Sequence, residues 1–307
     1  MNIAAASIGL QPGDEVLLTD HEYGAVRNIW QDKCKKTGAR ITTASLPIPL
    51  NDDATVSAIE EAVTSKTKVI VVSHVTSPTA AILPVNQVCR MAKQHGILTV
   101  VDGPHAIAML DVALGSIGCD FYCTSCHKWL CAPFGSGFLW VHPKHHATIH
   151  CPIVSWGGSI AGRQASWQDR TNWLGTYDPA SVLSIPSAIS FLRRHRLRTF
   201  RNHARSLACY ARQQLLNING VGPFCTKDET DFVSMCAVEL PQPENWKPGY
   251  HGHPDPLQVE LRNNYGIEVP VGSWNGHRFL RVSAHLYNST NHVDRLIEAL
   301  NRSENLR

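Results

Sequence analysis

The chain has 307 residues, of which 43% are hydrophobic and 17% charged, and its formal net charge is +3. This composition excludes disordered and collagen-like chains, and the small net charge gives no argument for a nucleic-acid or membrane-surface partner. No apolar run reaches the roughly 20 residues of a membrane span, and segment 1–15 lacks the basic head and cleavage site of a signal peptide, so we expect a cytoplasmic protein with free thiols.

The first half of the chain alternates between predicted helices and strands. The chain begins inside a predicted helix, at 1–8, and further helices are predicted over 25–37, 53–63 and 84–94. The predicted strands are the segments 15–18, 41–46, 68–72, 97–101, 121–123 and 137–141. Strands separated by helices of this length form parallel βαβ units, so the pattern predicts an α/β fold, a three-layer sandwich around a mostly parallel sheet.

The composition changes after about residue 175, and the second half of the chain predicts a smaller α+β domain. Its predicted elements are helices over 180–194, 197–216, 257–265 and 293–302, strands over 232–239, 267–271 and 279–282, and a loop rich in Pro, Gly and His over 241–256. We therefore expect a large domain over 1–178 and a smaller C-terminal domain over 179–307.

Polar, small or ionisable residues follow four of the predicted strands. They form the segments 19–21, 73–77, 102–105 and 124–128. The carboxyl ends of parallel strands meet at one edge of a sheet, where α/β proteins place their ligand sites. This convergence predicts the position of the functional site.

Two residues of these segments carry a specific chemistry. Lys128 ends the sequence Ser-Cys-His-Lys after a strand, and a lysine in a partly desolvated pocket has a lowered pKa and forms Schiff bases. Asp102 ends a buried strand, and a buried carboxylate needs a cationic partner. Pyridoxal 5′-phosphate meets both needs, because its aldehyde bonds a lysine and its protonated ring nitrogen pairs with a carboxylate.

The sequence supports two other kinds of site less well. Cys123 and Cys126 have the spacing of a thiolate knuckle, but no second pair completes four ligands, and buried cysteines are common small hydrophobic residues. The histidines of segment 251–253 are expected in a solvated loop. We predict no metal site, and no Gly-x-Gly-x-x-Gly follows a strand, which argues against a nicotinamide-binding enzyme.

Three blocks of sequence carry a family resemblance. They are Thr-Asp-His-Glu-Tyr-Gly-Ala at 19–25, Val-Asp-Gly-Pro-His-Ala at 101–106, and Ser-Cys-His-Lys-Trp-Leu-Cys-Ala-Pro at 125–133. Over nearly its whole length the chain resembles the class V aminotransferases, pyridoxal-phosphate enzymes of fold type I, and within them the isopenicillin N epimerase-like branch. The resemblance implies a large and a small domain, and a homodimer whose active site is shared between the subunits.

The resemblance also implies roles for individual residues. Lys128 would be the Schiff-base lysine and would carry the proton of the substrate α-carbon, and Asp102 would pair with the pyridinium nitrogen. Arg281 matches the clamp on the substrate α-carboxylate, a task that suits a bidentate guanidinium. The other implied cofactor-binding residues are His105 and Thr76 or Ser77 at the phenolic oxygen, Tyr23 stacked on the ring, Ser125 and His127 at the phosphate, and Thr176 at the neighbouring subunit's phosphate.

These residues do not choose between three reactions. Epimerisation, elimination by a C–S lyase and transamination all begin when Lys128 removes the α-proton. Epimerisation also needs a second acid, such as Tyr23 or a histidine. Segment 269–277 lacks the cysteine that desulfurases of the family carry there, which argues against desulfuration by that route. The side-chain pocket is expected to draw on the aromatic residues Trp156, Trp173, Tyr177 and Trp274.

A last expectation concerns the first residues of the chain. In the family, a phosphate-binding cup with Gly and Thr precedes the helix that corresponds to 1–8, so the resemblance implies a truncated chain that lacks this part of the cofactor pocket. The alternative of another class is a non-catalytic homologue that keeps the fold as a binding module. The pairing of Lys128 with Asp102 argues against that alternative.

Overall fold

The computed structural model describes residues 1–226, 232–248 and 253–306, and their strands form two sheets. The first sheet has the strand order β2-β1-β3-β4-β5-β6, with parallel neighbours except β5 and β6. Its strands are β1 (Glu15–Thr19), β2 (Arg40–Ala44), β3 (Thr67–Ser73), β4 (Leu98–Asp102), β5 (Phe121–Ser125) and β6 (Gly137–Val141). This mostly parallel sheet confirms the predicted α/β fold.

Helices cover both faces of the first sheet. They are α1 (Asn2–Ser7), α2 (Gly24–Thr37), α3 (Asp52–Glu61), α4 (Val85–Gln94) and the short α5 (Leu114–Ile117). Successive strand residues point to opposite faces. In β3, Val71 packs in the core cluster that contains Trp30 of α2, whereas Val72 packs in the cluster that contains Val88 of α4. The sheet therefore lies between two helical layers, as the predicted three-layer sandwich requires.

The ends of α2 and α3 have simple local causes. Gly38 follows α2 with a φ of +73°, a left-handed conformation that glycine adopts without strain. Asn51 precedes α3, and its side-chain oxygen accepts a hydrogen bond from Ala54 N at 2.8 Å. These signals set where the helices on either side of β2 end and begin.

Four helices connect the two sheets: α6 (Trp167–Asn172), α7 (Ala180–Leu183), α8 (Ile185–Arg194) and α9 (Leu197–Leu216). The predicted single helix over 180–194 is wrong, because the structure divides it at Ser184. Pro186 lies in the first turn of α8. Proline has no backbone N–H and restricts the residue before it, so a helix is interrupted or kinked there.

The second sheet is antiparallel, in the order β7-β8-β10-β9. Its strands are β7 (Gly222–Pro223), β8 (Met235–Glu239), β9 (Val271–Trp274) and β10 (His277–Ser283), accompanied by α10 (Pro256–Tyr265) and α11 (Thr290–Arg302). The predicted strand over 267–271 is wrong, since pairing with β10 starts only at Val271. Ile267 N instead donates to Leu261 O of α10 at 3.0 Å, and Pro270 has no N–H to donate.

The second sheet lies against the carboxyl edge of the first. Trp274 Nε1 donates to Asp20 O at 2.9 Å, and Arg281 donates to Ser77 O. The domain boundary expected after residue 178 falls between the residues of the two sheets and stays a prediction. Among the described residues, no helix is both long and apolar enough to cross a membrane.

Candidate active site

Lys128 lies in the loop between β5 and β6, at the carboxyl edge of the first sheet. Cys126 N donates to Ser136 O at 3.0 Å, and Ala132 N donates back to Cys126 O at 3.0 Å. Inside the loop, Cys131 N donates to Lys128 O at 3.0 Å. These bonds close the loop and fix the backbone that carries the Lys128 side chain.

Asp102 is a buried carboxyl at the end of β4, as predicted. Its carbonyl accepts a hydrogen bond from His74 N, after the end of β3, at 2.8 Å. Burial raises the pKa of the Asp102 carboxyl to about 6, and the positive charge of Lys128 opposes that rise. A further cation beside Asp102 would favour its ionised form. The carboxyl is therefore suited to the predicted pairing with a pyridinium nitrogen.

The amine of Lys128 is partly desolvated, and burial lowers its pKa to about 8. Asp102 acts in the opposite direction, and the positive charge of Arg281 lowers the pKa further. His105 Nε2 lies 2.9 Å from Lys128 Nζ. An amine whose pKa is near 8 is partly uncharged at neutral pH, and the uncharged form is the one that adds to an aldehyde.

Arg281 comes from the second sheet and faces the first. It lies in β10, and its Nη1 donates to the carbonyl of Ser77 and, at 3.3 Å, to Ser77 Oγ. Burial lowers the pKa of the guanidinium to about 10, which still leaves it charged at neutral pH. The structure thus brings together two residues, 204 positions apart, that the resemblance assigned to substrate and cofactor.

Tyr23 precedes α2 and is 53% exposed. Lys128 Nζ lies over the face of its ring, 5.8 Å from the ring centroid. A flat molecule between these groups would meet the phenol on one side and the amine on the other. This position agrees with the predicted stacking of Tyr23 on a planar cofactor, which stays a prediction.

These side chains surround one cavity of about 400 Å³. The lining residues come from both sheets and from the Lys128 loop; they are Tyr23, Ser77, His105, His127, Lys128, Trp129, Arg281, Ser283, Ala284, His285 and Tyr287. Six of the predicted site residues therefore meet at one place. The cavity lies at the edge that the strand ends predicted.

Two buried nitrogens at this cavity, His127 Nδ1 and Arg281 Nε, have no hydrogen-bond partner among the described residues. A buried polar atom without a partner is unfavourable unless a ligand supplies one. Together with the Lys128 amine and the Asp102 carboxyl, these nitrogens suit a ligand with an aldehyde, anionic oxygens and a basic ring nitrogen. Pyridoxal phosphate with an amino acid has this set of groups, so the residues present fit the cofactor.

The remaining predicted residues lie at different distances from this cavity. Ser125 ends β5 and is half-buried, three positions before Lys128. Thr76 is fully buried and hydrogen-bonded to Thr79 and Ala81, so Ser77, not Thr76, reaches the cavity. Within one chain Thr176 does not line the cavity.

The aromatic residues expected around the substrate side chain do not line the Lys128 cavity of the single chain. Trp156, Trp173 and Tyr177 line a separate surface cavity, together with Thr176. Trp274 is 8% exposed and packs against the His21 ring, with centroids 4.2 Å apart. The sequence indicated aromatic residues near the site but could not orient them, because their placement depends on contacts between distant segments.

Sequence reasoning missed several residues at the site. His285 and Tyr287 line the cavity directly after β10, and Trp129 follows Lys128 in the same loop. Glu22 is a second buried carboxyl, whose pKa burial raises to about 7. The available signal was proximity in sequence, since each of these residues is within six positions of a predicted one.

Over residues 1–296 the chain matches the family described as Aminotransferase class-V. It is 34% identical over 314 residues to the isopenicillin N epimerase of Amycolatopsis lactamdurans, covering 98% of this chain and 77% of that protein. It is 33% identical over 313 residues to the isopenicillin N epimerase of Streptomyces clavuligerus, covering 98% of this chain and 76% of that protein.

A solved structure with a similar fold is that of the cysteine desulfurase CsdA from Escherichia coli. The TM-score is 0.79 and the sequence identity 23%, over 98% of this chain and 75% of the other. At this identity the likeness concerns the fold alone. It agrees with the two-sheet architecture and does not identify the reaction.

Proposed function

The chain belongs to the class V aminotransferase family, and on that premise we propose that it is an epimerase acting at the α-carbon of an amino acid or amino-acid derivative. Class V aminotransferases are enzymes that use pyridoxal 5′-phosphate, and this chain is one of them. The observation that carries the proposal is the position of Lys128 Nζ over the ring of Tyr23, at 5.8 Å, within a cavity that also contains Arg281. The cavity thus holds two side chains that can carry a proton, Lys128 and Tyr23, and inversion of a carbon centre requires two such groups.

Several residues of this chain would hold the cofactor. Lys128 would bond its aldehyde, Asp102 its ring nitrogen, and His105 and Ser77 its phenolic oxygen. The remaining contacts are the ring of Tyr23, the phosphate-binding pair Ser125 and His127, and Thr176 of a second copy. When bound, the cofactor supplies a protonated ring that withdraws electrons from the substrate α-carbon.

Lys128 would remove the α-proton on one side of the substrate. Burial holds the pKa of its amine at about 8, so near neutral pH the amine both accepts and returns a proton readily. Arg281 would hold the substrate carboxylate, since its guanidinium is charged, faces the cavity and has a nitrogen without a partner among the described residues. These two contacts fix the α-carbon relative to the base.

Tyr23 would supply the proton on the other side. No hydrogen bond ties its hydroxyl among the described residues, and its ring lines the cavity. His285 is a poorer candidate, because its Nδ1 accepts from Leu286 N at 2.9 Å and its Nε2 donates to Trp129 O at 3.2 Å. Of the candidates the sequence left open, Tyr23 is therefore the one we propose as second acid.

The experiment separates proton removal from inversion. The chain loaded with cofactor is incubated in D₂O with a panel of L-amino acids and amino-acid derivatives, and both α-deuteration and the D-isomer are measured. We expect both products from the wild type, neither from Lys128→Ala, and deuterated L-isomer with at least ~100-fold less D-isomer from Tyr23→Phe. The control is Tyr265→Phe at the end of α10, outside the cavity.

Other products would contradict the epimerase proposal. Release of pyruvate and sulfide from cysteine or cystine would indicate a C–S lyase, and release of a keto acid with loss of the amino group would indicate a transaminase. Equal loss of deuteration and inversion in Tyr23→Phe would contradict the role of Tyr23. None of these three outcomes would change the family to which the chain belongs.

We also propose that the active enzyme is a homodimer. Several large apolar side chains are exposed, namely Val154 by 90%, Trp156 by 76% and Phe134 by 86%, and Trp156 lines a surface cavity together with Thr176. Large apolar side chains that are this exposed are covered when they lie in an interface with a partner. A second copy would cover them and bring Thr176 to the neighbouring cavity, as the resemblance implies.

Sedimentation velocity tests the dimer. We expect a dimeric wild type, and a monomer with weaker cofactor binding for Trp156→Asp, because an aspartate would be buried in the interface. A wild type that is monomeric at the concentration of the activity assay, and fully active, would contradict it.

The proposal includes no other macromolecular partner. The net charge of +3 gives no basis for binding nucleic acid or a membrane surface. The ten cysteines favour the reducing environment of the cytoplasm, where we place the enzyme.

A further inference from the structure

We propose that Trp129 is a positioning residue that fixes the tautomer of His105 and thereby keeps Lys128 an uncharged amine. Trp129 Nε1 lies 3.1 Å from His105 Nδ1, and His105 Nε2 lies 2.9 Å from Lys128 Nζ. His105 and Trp129 are both buried. Water has little access to the contact between these two buried rings, so the indole N–H and His105 Nδ1 satisfy each other's hydrogen bond.

The indole nitrogen sets the direction of these hydrogen bonds. A tryptophan side chain donates through Nε1 and has no acceptor. Its bond to His105 Nδ1 therefore requires a lone pair on Nδ1, which places the proton of the neutral imidazole on Nε2. From Nε2 the ring donates to Lys128 Nζ.

A doubly protonated His105 is opposed by its surroundings. Burial lowers the pKa of His105 well below its usual value, and the positive charges of Lys128 and Arg281 lower it further. The ring is therefore neutral near neutral pH and carries a single N–H.

The acceptor of that N–H must have a lone pair. An amine has one and an ammonium has none. If Lys128 were charged, both nitrogens of His105 would have to accept at once, which only an imidazolate does. The hydrogen-bond pattern therefore favours uncharged Lys128, in the same direction as the burial that lowers its pKa to about 8.

Trp129 is itself held from its other side. His285 Nε2 donates to Trp129 O at 3.2 Å, and the two rings stack with centroids 6.3 Å apart and an interplanar angle of 9°. The backbone of Trp129 and the plane of its indole ring are therefore both held in place. A residue that orients its neighbour needs to be fixed in this way.

The use of an uncharged amine here rests on the proposed function, since the amine needs an aldehyde to react with. It adds to the carbonyl carbon with loss of one water, and an ammonium cannot add. The distribution of protons is a property of the chain without cofactor. It is measured in that state, so an error in the proposed function leaves the measurement valid.

Two measurements on the full chain without cofactor test the inference. Competitive labelling with acetic anhydride between pH 6 and 11, followed by mass spectrometry, gives the pH midpoint at which Lys128 becomes reactive, with the exposed Lys35 as internal reference. Nitrogen-15 NMR of the histidines gives the tautomer of His105, whose signals are identified by their loss in His105→Gln.

Trp129→Phe removes the N–H and keeps an aromatic ring. Freed from this donor, His105 can move its proton to Nδ1 and accept from a charged lysine, so we expect the Lys128 midpoint to rise by about 1 pH unit or more. Trp246→Phe is the matched control, because it removes an indole hydrogen bond to Asp255 outside the cavity. It should leave the Lys128 midpoint unchanged.

His105→Gln is the conservative variant. Its amide oxygen can accept from Trp129 while its NH₂ donates to Lys128, so we expect a midpoint close to that of the wild type. A wild-type His105 with its proton on Nδ1 overturns the inference whether or not the variants fold. A folded Trp129→Phe with an unchanged midpoint overturns it as well.

Discussion

Arg278 and Asp255 form an ion pair that is removed from water, with side chains only 1% and 2% exposed. Arg278 Nη2 donates to Asp255 Oδ1 at 2.6 Å, and its Nε donates to Oδ2 at 2.9 Å. The guanidinium also donates to the carbonyls of Pro241, Asn305 and Leu306, at 2.9, 2.8 and 3.4 Å. One guanidinium thus joins β10 to the start of α10 and to residues near the end of the chain.

Replacing Arg278 by methionine keeps much of its volume and removes its charge and donors. Asp255 retains hydrogen bonds from Trp246 Nε1 and Leu257 N but loses its cation. Removing one member of a buried pair costs roughly 3–5 kcal/mol, because the other charge stays buried. Three carbonyls also lose this donor, so we expect Arg278→Met to lose about 4 kcal/mol or more of the free energy of unfolding.

Urea unfolding of the chain without cofactor measures this loss. The control is Arg302→Met on the exposed end of α11, for which we expect a change within about 0.5 kcal/mol. Arg278→Met combined with Asp255→Asn should lose less than the sum of the two single variants, since the pair then has no isolated charge. A loss below ~1 kcal/mol for Arg278→Met, with additive variants, would refute the reasoning.

The pH dependence of stability gives a second readout of the same pair. Burial opposes ionisation, but the hydrogen bonds from Arg278 hold the pKa of Asp255 below its usual 3.8. A carboxyl with a depressed pKa stabilises the fold above its unfolded pKa, and this stability is lost as the pH falls through the folded pKa. Asp255→Asn should therefore be less stable than the wild type at pH 7, with a difference that narrows below pH 3.8.

Two further predictions concern the site. The carboxylate of Asp102 raises the pKa of Lys128, which is about 8. Asp102→Asn should therefore lower the pH midpoint of Lys128 labelling below that of the wild type. An upward shift of this midpoint would contradict the proximity of the two groups. A methyl group at Gly103 would overlap the buried phenol of Tyr122, so Gly103→Ala should cost about 1–3 kcal/mol in urea unfolding. Gly115→Ala, whose methyl would meet nothing within 4 Å, should show no loss, and equal stability of the two variants would contradict the clash.

The first sheet could be predicted from sequence because the residues within each of its central strands already form a strongly apolar pattern. Segment 69–72 is a continuous hydrophobic run, and Thr99 is the single polar residue of segment 97–101; the structure places the two segments in and next to the neighbouring strands β3 and β4. The second sheet was harder to predict. β9 is only four residues long and lies directly after Pro270, so its register depends on pairing with β10 and not on its own pattern.

Site residues could be predicted where they follow a strand of the first sheet. They could not be predicted from the residues alone where they come from the second sheet. Lys128 and Asp102 both follow predicted strands in the sequence, so the topology alone brings them to one edge. Arg281 needed the family resemblance, since nothing local shows that β10 faces Ser77. Trp274 was expected in the substrate side-chain pocket but does not line the Lys128 cavity. Its N–H instead donates to Asp20 O, and its ring packs on His21.

Two buried carboxyls near the Lys128 cavity raise the question of which one is available to a cation. Glu22 Oε1 accepts from Thr19 Oγ1 at 2.8 Å and from Ser73 N at 3.0 Å, and Glu22 Oε2 accepts from Ser73 Oγ at 2.8 Å. Burial raises the pKa of Glu22 to about 7, and the charge of Asp102 contributes to the rise. Two buried carboxylates that repel each other cannot both be ionised readily. Because Glu22 is occupied by three donors, Asp102 is the carboxyl that can face a ring nitrogen, and a cation bound there would also make Glu22 easier to ionise.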